Sequence, residues 1–371
     1  MKNKKTLVIA VVAVVVVLAV VLGVVLAGGN NTTGSTTAPT NTEKTYTLGM
    51  GVVVNFDKAK NQINATVASV VRDANGKIVK CRIDVAQNTV DFVNGNVDTA
   101  KVYETKMELG TRYGMGQSSI TDANKWMDNN GDGKVYEWDV QAKAFETYVT
   151  GKTVAGVEAI GISNTPVNGH YITTDAELLS AGCTIQIGEF KEAVIKACND
   201  KHSTTFKTSE TSFKLGVAAT SFDDGSADGT IKVYTDFATS VVGANGKILA
   251  SLNDAIQPTM TYANGAVTET SYTDTKRCLE GAYGMGQTSI TDANKWMDND
   301  GNGKVLEWYL QSEAFSKHVV GMTATEVANM ATAENSLGYQ MTTDTDLLAA
   351  GCTIQITAIK AVMAKAATNA R

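Results

Sequence analysis

Gln62-Ile63-Asn64-Ala65-Thr66-Val67-Ala68-Ser69-Val70-Val71-Arg72-Asp73-Ala74-Asn75-Gly76-Lys77-Ile78-Val79-Lys80-Cys81-Arg82-Ile83-Asp84-Val85-Ala86 reads as two strands joined by a tight turn. The first half is rich in Val, Ile and Thr, and Ile63, Ala65 and Val67 recur at every second position. Asn75-Gly76 suits a two-residue hairpin turn, because both residues tolerate positive φ. Ile78 to Ala86 is the returning strand. Thr45 to Phe56 adds a strand before the hairpin, and a second turn pair, Asn94-Gly95, follows it. The pattern predicts an antiparallel meander.

The turn pairs recur as Asn245-Gly246 and Asn264-Gly265. The block from Tyr113 to Val135 also returns, almost unchanged, from Tyr283 to Val305, so the chain is a duplication with a period of 170 residues. The domains read as 45–198 and 212–371, with the polar stretch 199–211 as a linker. Repeats of this size can bury a hydrophobic core of their own. The second half of each is helical. Trp138, Ala142, Phe145 and Val149 mark one helix face, which Trp308, Phe315 and Val319 repeat. Thr323 to Glu326 and Thr174 to Glu177 read as capping boxes, a short helix follows Thr153, and Phe190 to Ala197 closes the first repeat as a helix. The expected fold is α+β, a meander with helices packed on one side.

Inside each block Asp and Asn alternate and a glycine follows. With Asp128 at position 1 of a twelve-residue loop, Asn130 is at 3, Asp132 at 5, Lys134 at 7 and Asp139 at 12. Calcium takes six to eight oxygens, and those side chains with the Lys134 carbonyl make a cage. In the second copy Asp298, Asp300, Asn302 and Lys304 fit, but position 12 is Tyr309, which leaves Glu307 to close the site. The loops are of the EF-hand and dockerin class. The bland alternative is a solvated Asn/Asp/Gly turn.

Met1 to Lys5 carries three lysines before an unbroken apolar run from Leu7 to Ala27. At about 1.5 Å per residue this run spans about 32 Å, enough to cross a bilayer core. The lysines hold the amino end in the cytoplasm and place the remainder outside. Residues 1–27 thus read as a single-pass membrane anchor; cleavage after Val25-Leu26-Ala27 would make the protein secreted. Residues 28–44 read as a flexible tether. Net charge is −6, and no basic stripe appears, so nucleic acid is not an expected partner. Of the five cysteines only Cys183 and Cys352 correspond between repeats, which argues for small buried hydrophobes rather than a disulfide framework.

Asn75 to Asp84, Gln87, Thr105-Lys106, Tyr113-Gly114-Met115, Glu137-Trp138, Gln141-Ala142, Gly151-Lys152-Thr153 and Thr184-Ile185 together resemble the bacterial secreted FMN-binding, or flavin-carrying, domain family. The resemblance covers nearly all of each repeat and makes the calcium loop an insertion between Tyr-Gly-Met and Glu-Trp. It implies FMN joined by a phosphoester to a threonine, here Thr184 and Thr353. Leu178 and Leu347 stand where the attachment motif has aspartate, and Cys183 and Cys352 where it has alanine. Asp84 with Gln87, repeated as Asp254 with Gln257, reads either as a strand-end hydrogen-bond pair or as the lining of a polar pocket. The three histidines do not correspond between repeats, and no catalytic constellation is visible. The expectation is a membrane-anchored extracellular protein that binds an unknown ligand or surface partner and carries calcium, not an enzyme. The alternative is an extracellular electron carrier with FMN on Thr184 and Thr353.

Overall fold

The hairpin around Asn75-Gly76 forms, but not with the expected turn. β1 (Lys44–Asp57), β2 (Gln62–Asp73) and β3 (Ile78–Thr89) run antiparallel, with Val52 opposite Val67 and Val67 opposite Asp84. Only Gly76 of the turn pair has positive φ, at 75°. The Asp73 carboxylate accepts from the backbone N–H groups of Asn75 and Lys77, and the ladder shifts register at Val71/Arg72. That carboxylate stabilises a longer, bulged turn over the tight two-residue one. Asn94-Gly95 and Asn264-Gly265 do place both residues at positive φ. In this computed structural model the described residues are 42–371 without 129, 211, 299, 300 and 336. The expected anchor, and the tether up to residue 41, lie outside them. Among the described residues no helix is long and apolar enough to cross a membrane.

The segment read as a linker is partly sheet. β4 (Thr204–Thr208) pairs with β1, Tyr46 opposite Phe206, and completes the order β3-β2-β1-β4. The second repeat builds its sheet from β5 (Lys214–Asp223), β6 (Thr230–Val242) and β7 (Ile248–Ile256). A hairpin, Thr259–Ala263 with Ala266–Ser271, pairs with the start of β6.

The two repeats are one compact unit, not two domains on a tether. Leu48, Met50, Val67 and Val71 of the first sheet share a buried core with Leu215, Val217, Phe237 and Val241 of the second. The Ser69 and Thr239 hydroxyls, one period apart, hydrogen-bond to each other at its centre. Equivalent residues touch only where a two-fold axis passes, so the repeats are related by a pseudo-dyad there. The outer faces carry α1 (Trp138–Val149) and α2 (Gly188–Cys198) on the first sheet. α3 (Trp308–His318) and α4 (Thr357–Thr368) cover the second. The fold is α+β in four layers: helix, sheet, sheet, helix. Strands covered on both faces explain why Val67 to Val71 carries no charged residue.

Glycine sets the closest approach between layers. A Cβ on Gly49 would lie 2.0 Å from the Ala197 carbonyl oxygen, and one on Gly216 would lie 1.8 Å from that of Ala366. The pair also fixes the correspondence at these places, Gly49 with Gly216 and Ala197 with Ala366. Caps follow the sequence closely. Thr323 and Glu326 form the capping box, but the helix Ala176–Ser180 is capped by Asp175 rather than Thr174. Four cysteines are buried, Cys278 is exposed, and all five are free thiols.

Candidate binding pocket in the first repeat

Beside the start of α2 the helix-facing side of the first sheet lines a cavity, and Asn64 and Thr66 of β2 with Val85 and Gln87 of β3 form its floor. Lys106 enters at one side. It opens a one-turn helix, Lys106–Leu109, capped reciprocally by Thr105 and Glu108. The buried Asp84 carboxylate fastens that turn to β3 by accepting from Met107 N–H at 3.1 Å. Burial raises Asp84 to about 6, against the hydrogen bonds that lower it. This is how Asp84 acts: it positions Lys106, while Gln87 lines the cavity.

The duplicated block supplies the wall. Tyr113 ends a short 3-10 turn, Gly110–Tyr113, and the Glu137 carboxylate accepts from Met115 N–H at 3.0 Å. Trp126 stacks on His170 with ring centres 5.2 Å apart and planes 10° from parallel. Trp138 closes the base. The Lys106 ammonium stands 4.8 Å from the Tyr113 ring centre and 5.5 Å from that of Trp138. The cavity is open to solvent on one side and has a volume of about 650 Å³. Glu189 also lines it; burial raises its carboxyl, and Lys106 and the Asn55 amide oppose that. Its lining is mixed, with the rings of Tyr113, Trp126, Trp138 and Phe190 set among polar and charged side chains, and a cavity of this size and kind suits a small ring-bearing molecule with polar substituents.

The second repeat keeps the frame and sets larger side chains on the matching floor. Lys276, Tyr283 and Trp308 stand where Lys106, Tyr113 and Trp138 do. Tyr234 replaces Asn64, however, and its ring centre lies 4.6 Å from the Lys276 ammonium, as does that of Tyr283. Asp236 replaces Thr66 and is buried. Burial pulls Lys276 down to about 8 and pushes Asp236 up to about 7, each opposed by the other's charge.

Neither expected flavin threonine faces this space. Thr184 and Thr353 are buried at 1% and 2% exposure, and both hydroxyls donate to a buried glutamine, Gln141 at 3.1 Å and Gln311 at 3.2 Å. The same Gln141 oxygen accepts from Thr184 N–H and Ile185 N–H. These threonines hold a turn against a helix, and they do not fit a phosphoester to FMN.

In the first Asp/Asn loop, where calcium was expected, Asp128 accepts from Gly133 N–H, and Asp132 accepts from Lys134 N–H and the Tyr136 hydroxyl. The Asn130 amide is 3.4 Å from that hydroxyl. The Asp139 Oδ1 atom is buried without a hydrogen-bond partner, which suits a cation ligand at position 12. In the second loop Asp298 accepts from Gly303 N–H and Asn302 from Lys304 N–H. Asp300 lies outside the described residues. Glu307 corrects an expectation: it accepts from Met285 N–H, as Glu137 does from Met115, and braces the Tyr-Gly-Met segment. Tyr309 packs on His202. Among the described residues no three His, Cys, Asp or Glu side chains are gathered as a metal group.

No protein-family model matches the chain, and no solved structure does. A curated protein does. The chain is similar to the chlorophenol reductase of Desulfitobacterium hafniense, 28% identical over 173 residues. The match takes in 41% of this chain, which spans about half (49%) of that relative's length.

The sequence missed His170, which has no histidine counterpart, and the fact that the duplicated block walls a pocket. The legible signal was aromatic: Trp296 stacks on Tyr339 in the second repeat as Trp126 does on His170.

Proposed function

We propose that the chain is a membrane-anchored extracellular binding protein that holds a small planar aromatic molecule in its first repeat. The observation that carries this is the Lys106 ammonium set against the Tyr113 and Trp138 rings in the cavity of the first repeat, where the second repeat has Tyr234 and Asp236 in place of Asn64 and Thr66. A cation so placed favours electron-rich rings and acidic ring substituents. Acidic Asp57 and Glu189 offset Lys60 and Lys106 around the cavity, which favours neutral or singly charged ligands. The similar reductase is named for a phenol, an aromatic of this class. Free FMN is a further candidate, held without a covalent bond.

The test is quenching of tryptophan emission in the detergent-solubilised full chain by benzoate, 4-hydroxybenzoate, indole-3-acetate and FMN. At least one of these is expected to bind, and Lys106→Met is expected to weaken it about tenfold, the worth of one cation–π contact. Binding that ignores this substitution, or none at all, overturns the reading.

Calcium in the first loop is part of the proposal, as a brace for the pocket wall. Asp128, Asn130, Asp132, the Lys134 carbonyl and Asp139 would hold it, and the unpaired Asp139 oxygen supports this. Terbium added to the full chain is expected to show tryptophan-sensitised emission, lost in Asp128→Asn/Asp139→Asn. Emission unchanged by the substitutions would place the ion elsewhere.

A further inference from the structure

We infer that the second repeat carries a built-in copy of the ligand: the Tyr234 ring occupies the place that the first repeat leaves open for a phenol. The inference rests on the pocket being a binding site and names what it binds.

Three frame residues are the same in both repeats, Lys106/Lys276, Tyr113/Tyr283 and Trp138/Trp308. The ammonium-to-ring distances agree closely, 4.8 and 4.6 Å to the tyrosines and 5.5 and 5.4 Å to the tryptophans. A frame held this constant presents the same surface to whatever lies on it. In the second repeat a para-substituted phenol lies on it, the Tyr234 side chain, at 4.6 Å from the ammonium. Phe222 stacks on the far face of that ring, at 5.1 Å and 15°.

In the first repeat that filling is withdrawn. Asn64 stands for Tyr234, Thr66 for Asp236, and Asn55, by the strand correspondence, for Phe222. Three large or charged side chains become small and neutral on one surface, around an unchanged cation. The cavity exceeds one phenol ring, and Trp126, Met127 and His170 also line it. The position where tyrosine carries its Cβ faces the floor at Asn64, so the ligand is a phenol whose larger substituents, if it has them, stand elsewhere on the ring.

The test titrates the detergent-solubilised full chain with p-cresol and with its saturated analogue 4-methylcyclohexanol, by calorimetry. One p-cresol is expected per chain, with the saturated analogue at least tenfold weaker. Asn64→Tyr is expected to abolish the site, and Tyr234→Asn to raise the stoichiometry to two. If Tyr234→Asn does not fold, Asn64→Tyr with the two alcohols still decides. Equal binding of the two alcohols, or p-cresol binding that survives Asn64→Tyr, overturns the inference. If a different aromatic probe binds and responds to Lys106→Met while p-cresol does not bind, the pocket stands and the phenol assignment falls. If no aromatic probe binds, the pocket reading itself falls.

Discussion

Arg277→Met is expected to cost about 3–5 kcal/mol of unfolding free energy, the usual cost of stranding a buried charge. Adding Asp200→Asn to the same chain is expected to recover most of it. Arg277 is 6% exposed and reaches from the second repeat across to the first. Its Nη2 donates to Asp200 at 2.9 Å and to the Met50 carbonyl at 3.3 Å, and its Nε lies 3.5 Å from Asp254. Removing the guanidinium leaves Asp200, itself only 4% exposed, with no cation beside it. The pseudo-dyad supplies the control. Met107 stands at the position of Arg277 and Asn369 at that of Asp200, and the two border one small cavity between the repeats. The protein thus contains both solutions to the same junction, an ion pair on one side and a neutral pair on the other. Denaturant unfolding of the two single variants and the double variant closes the cycle. Additive single effects would show that Arg277 and Asp200 do not depend on each other, and would sink the idea.

Contacts across that junction are non-local and leave little trace in the sequence. The strands were legible because β-branched runs and Asn-Gly pairs are local signals, and so were the helices, from the four-three-four spacing of Trp138, Ala142, Phe145 and Val149. Thr204–Thr208 was not, because Phe206 is its single large apolar residue and its pairing with β1 is non-local. The sheet-on-sheet packing was written in the unbroken small and apolar run from Val67 to Val71, which serves a strand buried on both faces, but it was read as one face only. The pocket lay in the differences between the copies. The near-identity of the two blocks points to the Asp/Asn loop, whereas the differences that shape the pocket, Asn64 against Tyr234 and Thr66 against Asp236, stand on a strand ahead of it. Gln87 was placed in a polar pocket as one of two alternatives; Asp84 proved to fasten the turn that carries Lys106.

Stability is expected to be greater at pH 5.5 than at pH 7.5, the reverse of the usual profile for a protein held by surface ion pairs. Burial raises Asp236 to about 7 and Asp84 to about 6, and it also raises Glu146 and Asp254. A carboxyl with a raised folded pKa binds its proton more tightly folded than unfolded. Its contribution is complete below the unfolded value near 4 and is lost as pH climbs through the folded value. Lys276 works in the opposite sense. With its folded pKa lowered to about 8 it is favoured above its unfolded value near 10.5, and that contribution is lost as pH falls through about 8. The two curves meet in a stability minimum between about pH 7 and 8. The rise of Asp236 to about 7, with the attraction of Lys276 already included, corresponds to a contribution on the order of 4 kcal/mol across its window, since each unit is about 1.4 kcal/mol. Exposed carboxylates held down by partners, such as Glu104 beside Arg112, oppose the trend only in more acidic solution. The measurement is denaturant unfolding at both pH values with a chelator present, so that calcium does not enter. Asp236→Asn should flatten the difference by removing the largest raised group, and should do so without touching the open pocket of the first repeat. A wild-type chain more stable at pH 7.5 would mean that Asp236 is not held as a buried acid, and with it the closed state of the second repeat would be lost as an explanation for why only one repeat is open.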